Sequence, residues 1–113
     1  MTNVTITGEG INQMQLQRNI FEKLHHVLCE VGVTKATVNV AIGTMLSDLA
    51  EYVMYPRSNE ERDAIQASPR DKYQIGAING INIFVDPMMQ WSDTRVLAEG
   101  LVATIEVDPS MIV

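Results

Sequence analysis

The chain has 113 residues, 46% of them apolar and 19% charged, the profile of one globular domain able to bury a sizeable core. Fourteen acidic against eight basic side chains leave a formal charge of −6 with no cluster of Lys or Arg, which disfavours nucleic acid as a direct ligand, since that needs several phosphate contacts from one face. The longest apolar stretches fall far short of the ~20 residues of a membrane helix, and Met1-Thr-Asn-Val-Thr-Ile-Thr7 has neither the basic start nor the apolar core of a secretory signal. The protein is therefore expected to work where it is made, or in a particle assembled there. Its single cysteine, Cys29, excludes an internal disulfide.

Residues 2 to 7 alternate around Val4 and Ile6 and predict a short strand, which Glu9-Gly10 breaks. From Ile11 to Val31, Leu16, Ile20, Leu24, Val27 and Val31 recur at steps of three and four, with Phe21 and Leu28 alongside. That stripe predicts a long helix, and Gly32 stands where a left-handed C-cap belongs. Lys35 to Ile42 is β-branched and alternating, so it reads as a strand. Gly43-Thr44 then opens a second helix, with Thr44 as its N-cap, Leu46, Leu49 and Val53 on its inner face, and Tyr55-Pro56 as its end.

Arg57 to Lys72 is polar throughout and reads as a surface loop with at most one helical turn around Glu60 to Gln66; at about sixteen residues it is longer than most connections. Next come two apolar runs around Asn79-Gly80, the strongest short-range hairpin signal, predicting a type I′ turn. Ile81, Ile83 and Val85 alternate with Asn82, Phe84 and Asp86, and Pro87 stops the strand. Arg95 to Ala98 and Leu101 to Val107 read as two more strands, with Asp108-Pro109 ending the last. Helices early and strands late predict an α+β fold, two helices packed on a mainly antiparallel sheet in one domain spanning residues 1 to 113. The expected core is Ile20, Leu24, Val27, Leu28, Leu46, Leu49, Val53, Ile83 and Val85.

Catalytic chemistry has little to stand on. His25 and Cys29 sit one helical turn apart, with Glu22 a turn before His25, but a zinc site needs third and fourth ligands and no second pair exists. No Gly-x-Ser-x-Gly elbow occurs, Gly8-Glu-Gly10 lacks the third glycine of a dinucleotide fingerprint, and Glu60-Glu61 lies in a polar segment without an apolar pocket. The expectation is no enzyme, no cofactor and no metal. Met88, Met89 and Trp91 follow Pro87 in a loop, where an adaptable Met-rich surface with a Trp anchor suits a protein contact.

Gly76-Ala-Ile-Asn-Gly-Ile-Asn-Ile-Phe-Val-Asp-Pro87 resembles a phrase of tailed-bacteriophage major capsid proteins of the Hong Kong 97 type, Gly-x-(Ile/Leu)-Asn-Gly-x-x-Val-Tyr-Val-Asp-Pro. Phe84 stands in place of the family's tyrosine. Ala36 to Ala50 looks like that family's strand running into a helix, and Thr94 to Gly100 like the strand after the Asp-Pro loop. Only the axial-domain portion, about residues 11 to 107, is covered. The family's N-terminal arm, extended loop and spine helix find no room before it, so the resemblance implies a shortened coat-protein relative, a head accessory protein, or a domain. It further implies a virion structural protein, assembled in the host cytoplasm into the capsid, whose partners are copies of itself or other capsid proteins in a homo-oligomer. The interface it implies comprises Arg57, Glu60, Glu61 and Arg62 of the polar segment with Met88, Met89 and Trp91. The competing expectation is a small acidic cytoplasmic module that binds or regulates a basic partner, through the electrostatic steering a charge of −6 permits.

Overall fold

The computed structural model describes residues 2–47, 52–54, 58–68 and 70–107. They form three helices and one seven-stranded mixed sheet, an α+β fold. In chain order the elements are β1 (Thr2–Thr7), α1 (Gln13–Val31), β2 (Lys35–Val38), α2 (Val40–Ser47), β3 (Tyr52–Met54), α3 (Asn59–Ala67), β4 (Tyr73–Ile78), β5 (Ile81–Val85), β6 (Arg95–Ala98) and β7 (Leu101–Glu106).

Helix α1 carries the signals at both ends that its sequence contains. Asn12 caps the start by accepting from the Gln15 amide at 2.9 Å, and the Gln15 side chain reaches back to the Ile11 amide at 2.8 Å. This reciprocal pair satisfies donors the helix cannot use itself. At the other end Gly32 takes φ 78°, and the amides of Gly32 and Val33 return to the carbonyls of Cys29 and Leu28. That is a Schellman close, with Val33 tucked against the core as such motifs favour.

The sheet runs β1-β7-β6-β2-β5-β4-β3. β1 with β7 and β2 with β5 pair parallel; the other neighbours pair antiparallel. Strands β1, β2, β3, β5 and β7 therefore point one way and β4 and β6 the other. The hairpin β4–β5 turns at Asn79-Gly80 with φ 47° and 86°, the two positive values a type I′ turn requires, and Ile78 opposite Ile81. Ile81, Ile83 and Val85 are buried, as the alternation predicts, while Asn82 and Phe84 are half-buried on the other face.

Helices α1 and α2 cover the same face. Leu24 and Leu28 of α1 and Leu46 of α2 line one small cavity with Ile81, Ile83 and Val96. Six expected core residues, Ile20, Leu24, Leu28, Leu46, Ile83 and Val85, are buried, and Val27 is half-buried against them. The approach is close: a Cβ on Gly43 would lie 2.7 Å from Val85 Cγ2.

Four expectations need correction. The second strand stops at Val38, and α2 begins at Val40 rather than after Gly43. Thr44 is inside α2, where its hydroxyl donates to the Val40 carbonyl at 2.9 Å; the cap is Asn39, whose Oδ1 accepts from the Ile42 amide at 2.8 Å. Val53 belongs to β3 and not to the second helix, which ends at Ser47 among the described residues; Leu49, Tyr55, Pro56 and Asp108-Pro109 lie outside them. The polar segment holds a full helix, α3, capped by Ser58 accepting from the Glu61 amide at 3.2 Å.

Candidate interaction site

Strands β2 and β5 run parallel side by side, so their carboxyl ends open together. There the chain turns from β2 into α2, and from β5 into the connection 86–94 that leads to β6. Asn39 sits at this junction, fully buried. Its oxygen caps α2, and its amide Nδ2 lies 3.1 Å from the Gln90 carbonyl, 3.0 Å from that of Trp91 and 2.8 Å from that of Asp93. Two amide hydrogens serve three acceptors, so one is shared. A single buried side chain thus starts a helix and fixes a loop 51 to 54 residues away.

The rest of the connection is a series of anchored turns. The Asp86 amide extends the β2–β5 ladder by donating to the Val38 carbonyl, the Met89 amide donates to the Asp86 carbonyl, and that of Asp93 to Gln90. Asp86 Oδ1 accepts from the Met88 amide at 2.9 Å, an Asx turn. At the exit Arg95 grips the Asp93 carboxylate with two bonds of 2.8 Å. This charge-assisted fork holds the Asp93 carboxyl below its ordinary pKa, against partial desolvation pushing the other way. Buried Thr94 then locks to β7, its hydroxyl donating to the Ile105 carbonyl at 2.6 Å.

On this fixed backbone the apolar side chains point out. Met88 is 61% and Trp91 50% exposed, and Met89 is half-buried. The exposure has a direction. Ile11 and Met14 follow the end of β1, Val40 follows β2, and Met88 and Trp91 follow β5, so all five sit at the end of the sheet where the five co-directional strands finish. Among the described residues Val31 is the only large apolar side chain exposed at the opposite end. A Trp whose backbone is already immobilised loses little entropy on binding, which is the physical basis of a hot spot.

Of the residues singled out in the sequence, Met88, Met89 and Trp91 come together on one loop. Glu60, Glu61 and Arg62 lie on a different element, α3, all exposed, with the two glutamates in the first turn where the helix dipole favours them. Arg57 lies outside the described residues. The sequence reasoning missed Asn39, although an Asn directly before a Val-Ala-Ile run is an N-cap signal.

His25 and Cys29 do meet, Nε2 to Sγ at 3.4 Å, and His25 stacks on Phe21 with centroids 5.7 Å apart. The Asn79 amide also lies 3.3 Å from His25 Nε2, tying the hairpin turn to α1. Glu22 turns away to pair with Arg18 at 3.5 Å, and no group of three or more metal-binding side chains gathers among the described residues. The cavity between α1, α2 and the sheet measures about 10 Å³, room for one water at most. No described helix is long and apolar enough to cross a membrane. The chain matches no protein-family model, and no curated protein or solved structure is significantly similar to it.

Proposed function

We propose that this chain is a non-catalytic structural component of a tailed-phage head, acting by association with its own copies or with other head proteins through the loop of Met88 and Trp91. The observation that carries the proposal is the pinned loop itself: a half-exposed Trp and an exposed Met on a backbone held by buried Asn39. The capsid phrase supports it from the sequence side, because its Asn-Gly is the β4–β5 turn and its Asp-Pro opens this loop. Met and Trp suit an interface whose adhesion is apolar. The charges of Glu60, Glu61 and Arg62 on exposed α3 suit a rim, where each ion pair contributes only about 0–1 kcal/mol and sets register more than affinity.

Sedimentation velocity over a concentration series, alone and mixed with purified phage heads, tests the reading. Wild type is expected to self-associate or co-sediment with heads, and Trp91→Ala to weaken this at any salt. Reversing Glu60 and Glu61 to Lys is expected to act only at low salt, because exposed charges are screened. A chain that stays monomeric, ignores heads and instead captures one defined basic host protein would replace this reading with that of an acidic regulatory module.

A further inference from the structure

We infer that the β1 edge of the sheet is a second self-association surface, on which two copies of this chain join their sheets through antiparallel β1–β1 pairing. The inference rests on the proposed self-association but assigns it to a surface other than the Trp91 loop.

The backbone sets the geometry. The Thr2 amide donates to the Gly100 carbonyl and the Gly8 amide to that of Glu106, so even-numbered residues of β1 turn their peptide groups toward β7. The amides and carbonyls of Asn3, Thr5 and Thr7 consequently point away from the sheet. Thr7 is partly served, since Lys23 Nζ donates to its carbonyl at 3.2 Å. Exposed edges are normally blunted with charge, Pro or a bulge. Thr2-Asn-Val-Thr-Ile-Thr7 has no charged residue and no Pro, and its register with β7 is unbroken over all six residues. The other edge, β3, spans Tyr52–Met54 among the described residues.

Beside β1, toward α1, runs a groove of about 360 Å³ lined by Val4, Ile6, Lys23, His26 and Val27. A strand laid on the edge sends alternate side chains into it. With the two-fold axis at Val4, Asn3 exchanges hydrogen bonds with Thr5 of the second copy and the reverse, while Val4 meets Val4 in the groove. Because α1 packs on both β1 and β7, this axis sets the two α1 helices antiparallel and about 10 Å apart, ordinary helix-packing distance. Centred near His26 and Val27, that arrangement brings Lys23 of one copy toward Glu30 of the other, whose carboxylate lies 3.4 Å from His26 Nε2 in its own chain. This charge complementarity selects a second copy as the occupant.

Amide hydrogen exchange and sedimentation on the intact chain test it. The amides of Asn3 and Thr5 should slow by about tenfold or more as dimer forms with rising concentration, whereas those of Val4 and Ile6, already in the ladder, should change less. Thr5→Pro removes only an outward donor, so it should weaken the dimer at least about tenfold with its circular dichroism and melt near wild type; Trp91→Ala should leave this dimer intact. Lys23→Glu should weaken it, and adding Glu30→Lys should restore it. Exchange at Asn3 and Thr5 indifferent to concentration overturns the inference even if Thr5→Pro fails to fold. Association retained by Thr5→Pro but lost by Trp91→Ala also overturns it and leaves the loop reading standing. A chain monomeric at millimolar concentration without heads refutes it, while co-sedimentation with heads tests the loop separately.

Discussion

The connection 86–94 and helix α3 reverse the usual relation between regularity and anchorage. The connection has no repeating backbone pattern, yet Asn39, Asp86, Arg95 and Thr94 fix it at successive points. Helix α3 has its own hydrogen-bond ladder and a proper N-cap, yet the described side chains from Asn59 to Ala67 are exposed. Short helices owe most of their stability to packing rather than to propensity. Judged by the described side chains, the irregular connection is the more heavily anchored of the two.

The largest test of that contrast is Asn39→Ala. It removes the α2 cap and takes the Asn39 donor from the carbonyls of Gln90, Trp91 and Asp93, of which Gln90 keeps the Asp93 amide, and should destabilise the fold by about 2–4 kcal/mol in denaturant titration. Trp91 fluorescence anisotropy should fall before global unfolding; if it does not, Asn39 is no anchor. Next comes Gly80→Val, which forces a β-branched residue to φ 86° and should cost about 1–3 kcal/mol. It strains the turn that delivers β5, and a melt within a degree of wild type would contradict the turn geometry. Ser58→Ala should cost about 1 kcal/mol at most, felt as lost helicity in α3 with Trp91 anisotropy unchanged. A simultaneous response at Trp91 would show that the two regions are coupled.

The smallest effect is acid release of the Asp93–Arg95 fork. A carboxyl with depressed pKa contributes stability that is present above its ordinary value of 3.8 and lost as pH falls through the lower folded value. Loosening of the loop is thus expected only below pH 3.8, and Asp93→Asn should abolish that step. A loop transition nearer neutrality would point to another group.

Much of the fold was legible where the signal is local. The α1 stripe, Gly32, the Asn79-Gly80 turn and the β5 alternation each depend on residues within a few positions of one another. Val38-Asn-Val-Ala-Ile42 misled because its alternation suits a strand and hides the local cap of Asn39 on the Ile42 amide; the grip of the same side chain on the carbonyls of Gln90, Trp91 and Asp93 is long-range and has no local signal. Helix α3 was readable, since Ser58-Asn-Glu-Glu61 is a capping box, but its polarity argued for a loop. The parallel pairs β1–β7 and β2–β5 leave no mark in any window of sequence. Of the candidate site, Met88, Met89 and Trp91 could be read, whereas the buried amide beneath them is a tertiary fact.

The pairing of Thr2 with Leu101 through Thr7 with Glu106 also has a consequence in time. β1 is made well before its partner strand, which emerges about a hundred residues later, some 5–20 s at ordinary ribosomal speeds. Through that interval an uncharged, β-prone segment is on the nascent chain without the strand that it pairs with in the finished fold.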